Sequence, residues 1–453
     1  MKLSKYVQSI SRADGKLLYH SQIGQACVVD DRIYEFLSEL VFDKSNEKNY
    51  LNQKEIFYEF QKMGFIVDKN DVDYIEQYTN ERMKQLDAEP QIRTVQLIVS
   101  NACNFNCRYC FENNIYCSEE RNANMADPNN VMMSPDNAKS YMGKCIDLIK
   151  KTSHPALHVQ FFGGEPTTNM EAIRAVLDCY SDGGEYGVEL TYSIVTNGSL
   201  IDKETAALFK KYDVATIVSF DNPSKSDRKL KDGRNSEEVV RSSLEFLKEE
   251  NVYTAFNSVL SSHTLEYFDN SIIDYANVFN VKEVGVVLDL DPDFYSDNNI
   301  SNIVKKILSL CDYASNVGIL VSGYWMTSYL NVLARNGFAS GFKTCSGTGS
   351  QLSIEPNGTV FSCKGSSCHY GSIADIDSML RNEHYRRYAE RSIKNSDRCK
   401  NCEIEGFCAG FCLGPLEQTY KSIYELVPGY CRLMKTLIFE FLKRETNILK
   451  YEY

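Results

Sequence analysis

Cys103-Asn-Phe-Asn-Cys107-Arg-Tyr-Cys110 puts three thiols on one short segment, spaced CxxxCxxC. Three thiolates on a tight loop hold three irons of a cubane and leave the fourth iron without a protein ligand, whereas an iron–sulfur cluster ordinarily takes four cysteines. Such an open iron offers a position to a molecule that chelates through an amine and a carboxylate. The rival readings are a zinc loop short of its fourth ligand and a ferredoxin fragment. Zinc sites close tetrahedrally and ferredoxin spacing is tighter, so both fit poorly. A second concentration of cysteine follows: Cys345, Cys363, Cys399, Cys402, Cys408, Cys412 and Cys431, with Cys368 close behind Cys363. Seven thiolates do not divide evenly into four-cysteine zinc sites, which counts against a treble-clef-like zinc domain. The opening residues, MKLSKYVQSISRADGK, lack the apolar core of a signal peptide, so a cytoplasmic chain with reduced thiols is expected. In that compartment, 16 cysteines with close spacings point to metal and not to a disulfide framework.

These cysteines need a scaffold, and three regions separate by composition. Residues 1–90 read as a hairpin, Leu17–Ser21 returning through Ala26–Val29 with Gly24 at the turn. A helix capped by Asp30 or Asp31 follows, with Ile33, Phe36, Leu37 and Leu40 on one face. A second helical stretch, Gln53–Met63, runs into a short strand or wing at Gly64–Val67. Residues 91–338 alternate strands and helices. The strands are expected at Thr94–Ser100, Leu157–Phe162, Glu189–Val195, Ala215–Phe220, Tyr253–Leu260 and Glu283–Leu288, with runs typical of strands buried on both faces. Helices are expected at Ser134–Lys151, Lys203–Tyr212 and Glu237–Glu250. Six such units joined by right-handed crossovers predict an α/β fold, a partial (β/α)6 barrel with its reactive groups on loops at the carboxyl ends of the strands. Residues 339–453 are dense in cysteine, short on regular pattern, and close on an amphipathic helix near Leu433–Arg444. Cys27, Cys117, Cys145, Cys179 and Cys311 read as small buried residues.

The three-cysteine loop, with an aromatic (Tyr109) before its last thiol, resembles the radical SAM superfamily. That resemblance implies that Cys103, Cys107 and Cys110 hold a [4Fe–4S] cluster whose open iron binds S-adenosylmethionine (SAM). Electron transfer into the sulfonium then gives a 5′-deoxyadenosyl radical that abstracts a hydrogen atom. Gly163-Gly164-Glu165-Pro166 follows the second strand and resembles the family's GGEP motif, implying contact with the methionine ammonium. Thr196 and Asn197 end the third strand, and Ser219 and Asp221 the fourth. Both look like family positions near the ribose and carboxylate, although Asn222 stands where the family often has glycine. Arg228, Arg234 and Arg241 suit either a carboxylate partner or solvated surface. The later cysteines resemble the SPASM domain. Its pattern assigns Cys345, Cys363 and Cys412 to a first auxiliary [4Fe–4S] cluster, and Cys399, Cys402, Cys408 and Cys431 to a second. Cys368 is a candidate fourth ligand of the first, the alternative being a free thiol.

Residues 1–90 resemble the RiPP recognition element, a winged-helix-like domain that takes the leader of a ribosomally made peptide as an added strand. The alternative there is a helical cap with no partner. Together these resemblances imply a radical SAM/SPASM peptide maturase that abstracts a hydrogen atom from a precursor peptide and installs crosslinks, with cysteine thioethers expected first. Carbon–carbon crosslinking, formylglycine-forming sulfatase maturation, small-molecule dehydrogenation and plain electron transfer are the alternatives. Lys364 stands where sulfatase maturases usually carry an aspartate. An electron donor such as flavodoxin or ferredoxin is implied as a partner. A formal net charge of -12 argues against a nucleic-acid partner, and no apolar run is long enough to span a membrane.

Overall fold

The computed structural model describes residues 1–39, 54–68, 70–111, 127, 130–326, 329, 345–391, 397–445 and 448–451. Leu40 and Cys117 lie outside them. Strands β1 (Lys2–Leu3), β2 (Val7–Arg12), β3 (Gly15–His20), β4 (Ala26–Val29) and β5 (Ile66–Val67) precede the barrel strands. Those are β6 (Thr94–Ser100), β7 (Ala156–Gly163), β8 (Glu189–Thr196), β9 (Val214–Ser219), β10 (Thr254–Leu260) and β11 (Glu283–Leu288). Each lies within about a residue of its expected position. The six run parallel in chain order and are extended by a seventh parallel strand that sequence reading missed, β12 (Leu320–Ser322). At three residues it is too short for a periodic signal.

Each crossover is a helix, beginning with Pro135–Ile149 after β6 and ending with Asp297–Asn316 after β11. Local chemistry sets their starts. The Ser134 hydroxyl accepts from Asn137 N at 3.1 Å with Pro135 in the first turn, and the Asp202 carboxylate accepts from Thr205 N at 2.8 Å. The expectation of strands buried on both faces holds for β6 but needs correction for β7 and β9. Burial alternates along β7 and β9, with Leu157, Val159, Phe161, Val214 and Val218 in the apolar core. The opposite face is polar: Gln96 Nε2 donates to Gln160 Oε1 at 2.8 Å, and Gln351 Nε2 to Gln96 Oε1 at 3.0 Å. The barrel's inner face is therefore a hydrogen-bonded layer and its outer face an apolar one.

The cysteine-rich region has more regular structure than its pattern suggested. β13 (Gln351–Ile354) joins the edge of the barrel sheet parallel to β6, and β14 (Thr359–Phe361) and β15 (His369–Ser372) continue it antiparallel. The closing helix starts earlier than expected and spans Pro428–Arg444. β16 (Leu449–Tyr451) pairs parallel with β4, so the N-terminal sheet, ordered β16-β4-β3-β2, contains strands from both ends of the described chain. The hairpin, the helix Asp31–Ser38 capped by Asp30, the helix Lys54–Lys62 and the wing β5 against β1 all appear. The helix Tyr74–Ala88 was not foreseen; it lacks any buried face to write a period into the sequence.

His20 sits fully buried in this N-terminal unit between Tyr6 and Tyr74, and its Nε2 has no hydrogen-bond partner among the described residues. Burial lowers its pKa to about 4, with Asp71 opposing weakly. The neutral form is favoured by the fold, so this stability is complete above the free-histidine range and is lost as pH falls from about 6.5 through about 4. The loss amounts to about 3 kcal/mol. A thermal melt at pH 7 and pH 4.5 should therefore show a larger drop for the wild type than for His20→Asn; equal drops would refute the assignment.

Candidate active site

The three-cysteine loop leaves β6 at Ser100 and is stitched to the segment after β9. Asn106 N donates to Lys229 O at 2.8 Å, Arg108 N to Asp227 O at 3.2 Å and Lys231 N to Asn104 O at 3.1 Å. Its other wall is the end of β7. Gly164 N donates to Ser100 O and Glu165 N to Ala102 O, both at 2.8 Å. Gly163 has φ +152°, and a Cβ there would lie 1.9 Å from Ser100 O. The two glycines thus let β7 lie against the loop's backbone.

Glu165 is fully buried. Its Oε1 accepts from Thr167 N (3.0 Å), Thr167 Oγ1 (2.6 Å) and Thr196 Oγ1 (2.6 Å), and its Oε2 from Asn197 N (2.6 Å). Burial raises its pKa and these four donors oppose the rise. Asn197 carries the network onward. Its Nδ2 donates to Asn104 Oδ1 at 2.8 Å and lies 3.9 Å from Cys103 Sγ, which also accepts from Phe105 N at 3.4 Å. Amide donors on a cysteine sulfur are the ordinary surroundings of an iron–sulfur thiolate.

The β9 end supplies the opposite wall. Ser219 is the last residue of β9, and buried Asp221 accepts from the Tyr109 hydroxyl, from Ser226 Oγ at 3.4 Å and from Val259 N at 3.3 Å. Arg228 Nη1 lies 3.5 Å from the Tyr109 hydroxyl and its guanidinium stands 5.8 Å from the Phe105 ring. The Cys107 thiol is raised by burial, with Arg228 opposing. Of the three arginines, Arg228 alone enters the site; Arg234 and Arg241 pair with Asp232 and Glu237 at the surface. Only the fold selects it, because nothing in its sequence neighbourhood separates it from the other two. Asn222 pins the loop in place of glycine: its Oδ1 accepts from Ser224 N and Lys225 N, and its Nδ2 donates to Ser271 Oγ.

The remaining thiols form two groups. Burial pushes the Cys412 thiol up, and Cys345 and Cys363 add to the rise. Gly347 fits between those two, its site for a Cβ 3.5 Å from Cys345 Sγ and 3.6 Å from Cys363 Cβ. Cys431 is pushed up to about 12 by burial, then by Cys408, Cys399 and Cys402. These four line one cavity of about 50 Å³. Cys368 is buried near the first group, 3.7 Å from His384 O. No three His, Cys, Asp or Glu among the described residues converge on a single metal ion. A cluster presents a separate iron to each thiolate, so its ligands surround a volume and need not meet at a point. The Cys412 and Cys431 thiols, which resist ionisation, suit metals that take up their charge. The donor sets therefore fit iron–sulfur clusters, and Glu165 Oε2 keeps lone-pair capacity for an ammonium. Of the other cysteines, Cys27 and Cys145 are buried, Cys311 is partly so, and Cys179 is exposed, contrary to expectation.

The donor sets and the parallel barrel together fit an iron–sulfur protein. The Radical SAM superfamily model matches residues 97–273, and the SPASM iron–sulfur cluster-binding domain matches 345–403. The radical SAM cyclopropyl synthase TigE of Paramaledivibacter caminithermalis is 44% identical over 461 residues, covering 99% of this chain and 97% of the relative. The chain belongs to the radical SAM superfamily, whose enzymes use SAM and iron–sulfur clusters. Among solved structures, native anSMEcpe with bound AdoMet and the Cp18Cys peptide has a TM-score of 0.62 at 20% identity, covering 78% of this chain and 98% of that one. Streptococcus suis SuiB bound to its precursor peptide SuiA has a TM-score of 0.54 at 14% identity, covering 95% and 99%. These two share the fold.

Gly163→Ala should break the seam between β7 and the cysteine loop, because the clash is with main chain and the backbone is one that side chains rarely adopt. SAM cleavage by the reconstituted enzyme should fall at least about tenfold, with a loss of about 1–3 kcal/mol of stability. Wild-type cleavage in that variant would refute the role given to the seam.

Proposed function

We propose that this chain is a peptide-maturing radical SAM enzyme that removes two hydrogens from a residue of a ribosomally made precursor and closes a carbon–carbon bond. The observation that carries this reading is the end-to-end match to a cyclopropyl synthase. It favours carbon–carbon crosslinking, an alternative in the sequence reading, over the cysteine thioether expected first. Peptide chemistry is supported by the fold shared with anSMEcpe and SuiB, both solved with peptides.

In this reading residues 1–90 dock the leader, 91–338 form the radical SAM barrel and 339–453 the SPASM domain. Cys103, Cys107 and Cys110 hold the SAM-binding [4Fe–4S] cluster. Cys345, Cys363 and Cys412 hold one auxiliary cluster, with Cys368 its candidate fourth ligand, and Cys399, Cys402, Cys408 and Cys431 hold the second. When bound, cluster and SAM supply a carbon radical that abstracts a hydrogen atom. Glu165 and the backbone after β7 take the methionine ammonium, while Thr196, Asn197, Ser219 and Asp221 frame the ribose and carboxylate. Tyr109, held by Asp221 and Arg228, fixes the loop between Cys107 and Cys110. A flavodoxin or ferredoxin serves as electron donor in the cytoplasm.

Anaerobic co-expression with the short peptide encoded beside the gene, read by tandem mass spectrometry, tests the reaction. The expected product lacks two hydrogens per modified residue and keeps every thiol alkylatable. Blocked thiols would restore the thioether, and an unchanged peptide beside intact SAM cleavage would reject the substrate class. Replacing Cys103, Cys107 and Cys110 by Ala should remove about four of about twelve irons and abolish SAM cleavage; cleavage that survives would overturn the assignment of the first cluster.

A further inference from the structure

Closing a carbon–carbon bond with net loss of two hydrogens requires a proton acceptor beside the substrate. Two carboxylates at the carboxyl ends of the barrel strands are already committed: Glu165 to four donors, and Asp221 to Tyr109, Ser226 and Val259 N. A third, Asp289, directly follows β11. Among the described residues its carboxylate is bonded to main chain alone, accepting from Ser262 N at 3.3 Å and Asp291 N at 3.0 Å. Unlike the other two, it retains acceptor capacity on both oxygens.

Its position follows from strand register. Ser219 of β9, Asn257 of β10 and Gly285 of β11 lie side by side. With side chains alternating, Asp221 and Asp289 continue that same inner face from β9 and β11. Those strands are separated by two inter-strand spacings, about 10 Å. On the far side, the Tyr324 hydroxyl, just past β12, is buried and faces the hydroxyls of Tyr295 and Tyr430. Both Asp289 and Cys412 act electrostatically on that tyrosine. Asp289 thus shares the inner face with Asp221, which holds Tyr109 of the three-cysteine loop, and acts on the same tyrosine as Cys412 of the first auxiliary group. A substrate on this inner face would lie near both.

We propose that Asp289 is the base that takes the substrate proton as the new bond forms. The inference rests on the function proposed above. In the balanced step the peptide loses one hydrogen atom to the radical initiator, one proton to an Asp289 oxygen and one electron to an oxidised auxiliary iron–sulfur cluster, and it gains one carbon–carbon bond. Burial raises the Asp289 carboxyl above its ordinary range against the backbone N–H groups of Asp291 and Ser262, which oppose the rise, and a raised carboxyl suits a general base.

The test uses reconstituted holoenzyme carrying Asp289→Asn, and Asp289→Glu as the conservative variant. Iron content, peptide affinity by anaerobic calorimetry, and 5′-deoxyadenosine formed per dehydrogenated peptide are measured. D289N should keep wild-type iron, peptide affinity and peptide-dependent 5′-deoxyadenosine formation, while product per 5′-deoxyadenosine falls about 100-fold; D289E should recover part of it. An unchanged product ratio in D289N overturns the proposal. So does a loss of peptide binding or 5′-deoxyadenosine formation in proportion to product, which would make Asp289 a binding or structural group. A wild-type enzyme that makes no dehydrogenated peptide would sink the functional reading and this inference with it. A competent wild type beside a fully coupled D289N sinks the inference alone.

Discussion

A carboxylate buried away from water costs several kcal/mol unless its lone pairs are met, and Glu165 is buried completely. Its four donors come from its own turn and from the end of β8, so the two strand ends must hold a fixed relation for the fold to form. Asn197, placed by its amide on Glu165, then turns its side chain toward Asn104 and Cys103. Gly163 and Gly164 allow the same turn to lie against Ser100 and Ala102. The position of the three-cysteine loop is in this sense a consequence of satisfying one buried charge.

The inner face extends that logic into the cysteine-rich region. Gln96 bonds Gln160 on one side and Gln351 on the other, and its Oε1 also accepts from Lys364 N at 3.1 Å. Lys364 and Glu355, 3.5 Å apart and both buried, share Asn101 two residues ahead of Cys103. Such a pair adds little net stability, but removing either partner leaves an uncompensated charge, so it enforces one arrangement. Lys364 follows Cys363 directly. The register of β13 on β6 therefore carries the first auxiliary thiols into a fixed relation with the radical-generating loop.

What could be read from sequence was whatever has a local cause. The six barrel strands and the capped helices Pro135–Ile149 and Lys203–Lys211 write their periods and caps into consecutive residues. The cysteine groupings were legible only through family resemblance, since Cys408 and Cys412, four residues apart, fall in different groups. Illegible were features made by distant partners. β12 and β16 are short strands accepted by existing edges, Arg228 is distinguished only by lying beside Tyr109, and the polar inner layer appears once alternate strand residues face one another. Asp289 looks like one acidic residue in a run of them until register sets it on the same inner face as Asp221.

The N-terminal unit meets the rest of the chain at several places, among them β16 on β4, Arg12 on Leu442 O and Glu445 O, and a contact beside the second group of cysteines. Gly406 N donates to Ser21 O at 2.7 Å, and Gln22 Nε2 reaches Glu405 Oε2 at 3.3 Å and Asp73 Oδ1 at 3.2 Å. A Cβ at Gly406 would lie 2.2 Å from Gln22 O, so the loop between Cys402 and Cys408 packs backbone to backbone on the turn between β3 and β4. Thiols grouped as these are repel one another as they ionise, and a metal bound there would take up that charge. The sheet proposed to dock the leader therefore rests in part on a loop flanked by proposed metal ligands. On the proposed function, peptide docking and the second auxiliary cluster would share this backbone contact, so loss of that metal would loosen one of the supports of the docking sheet.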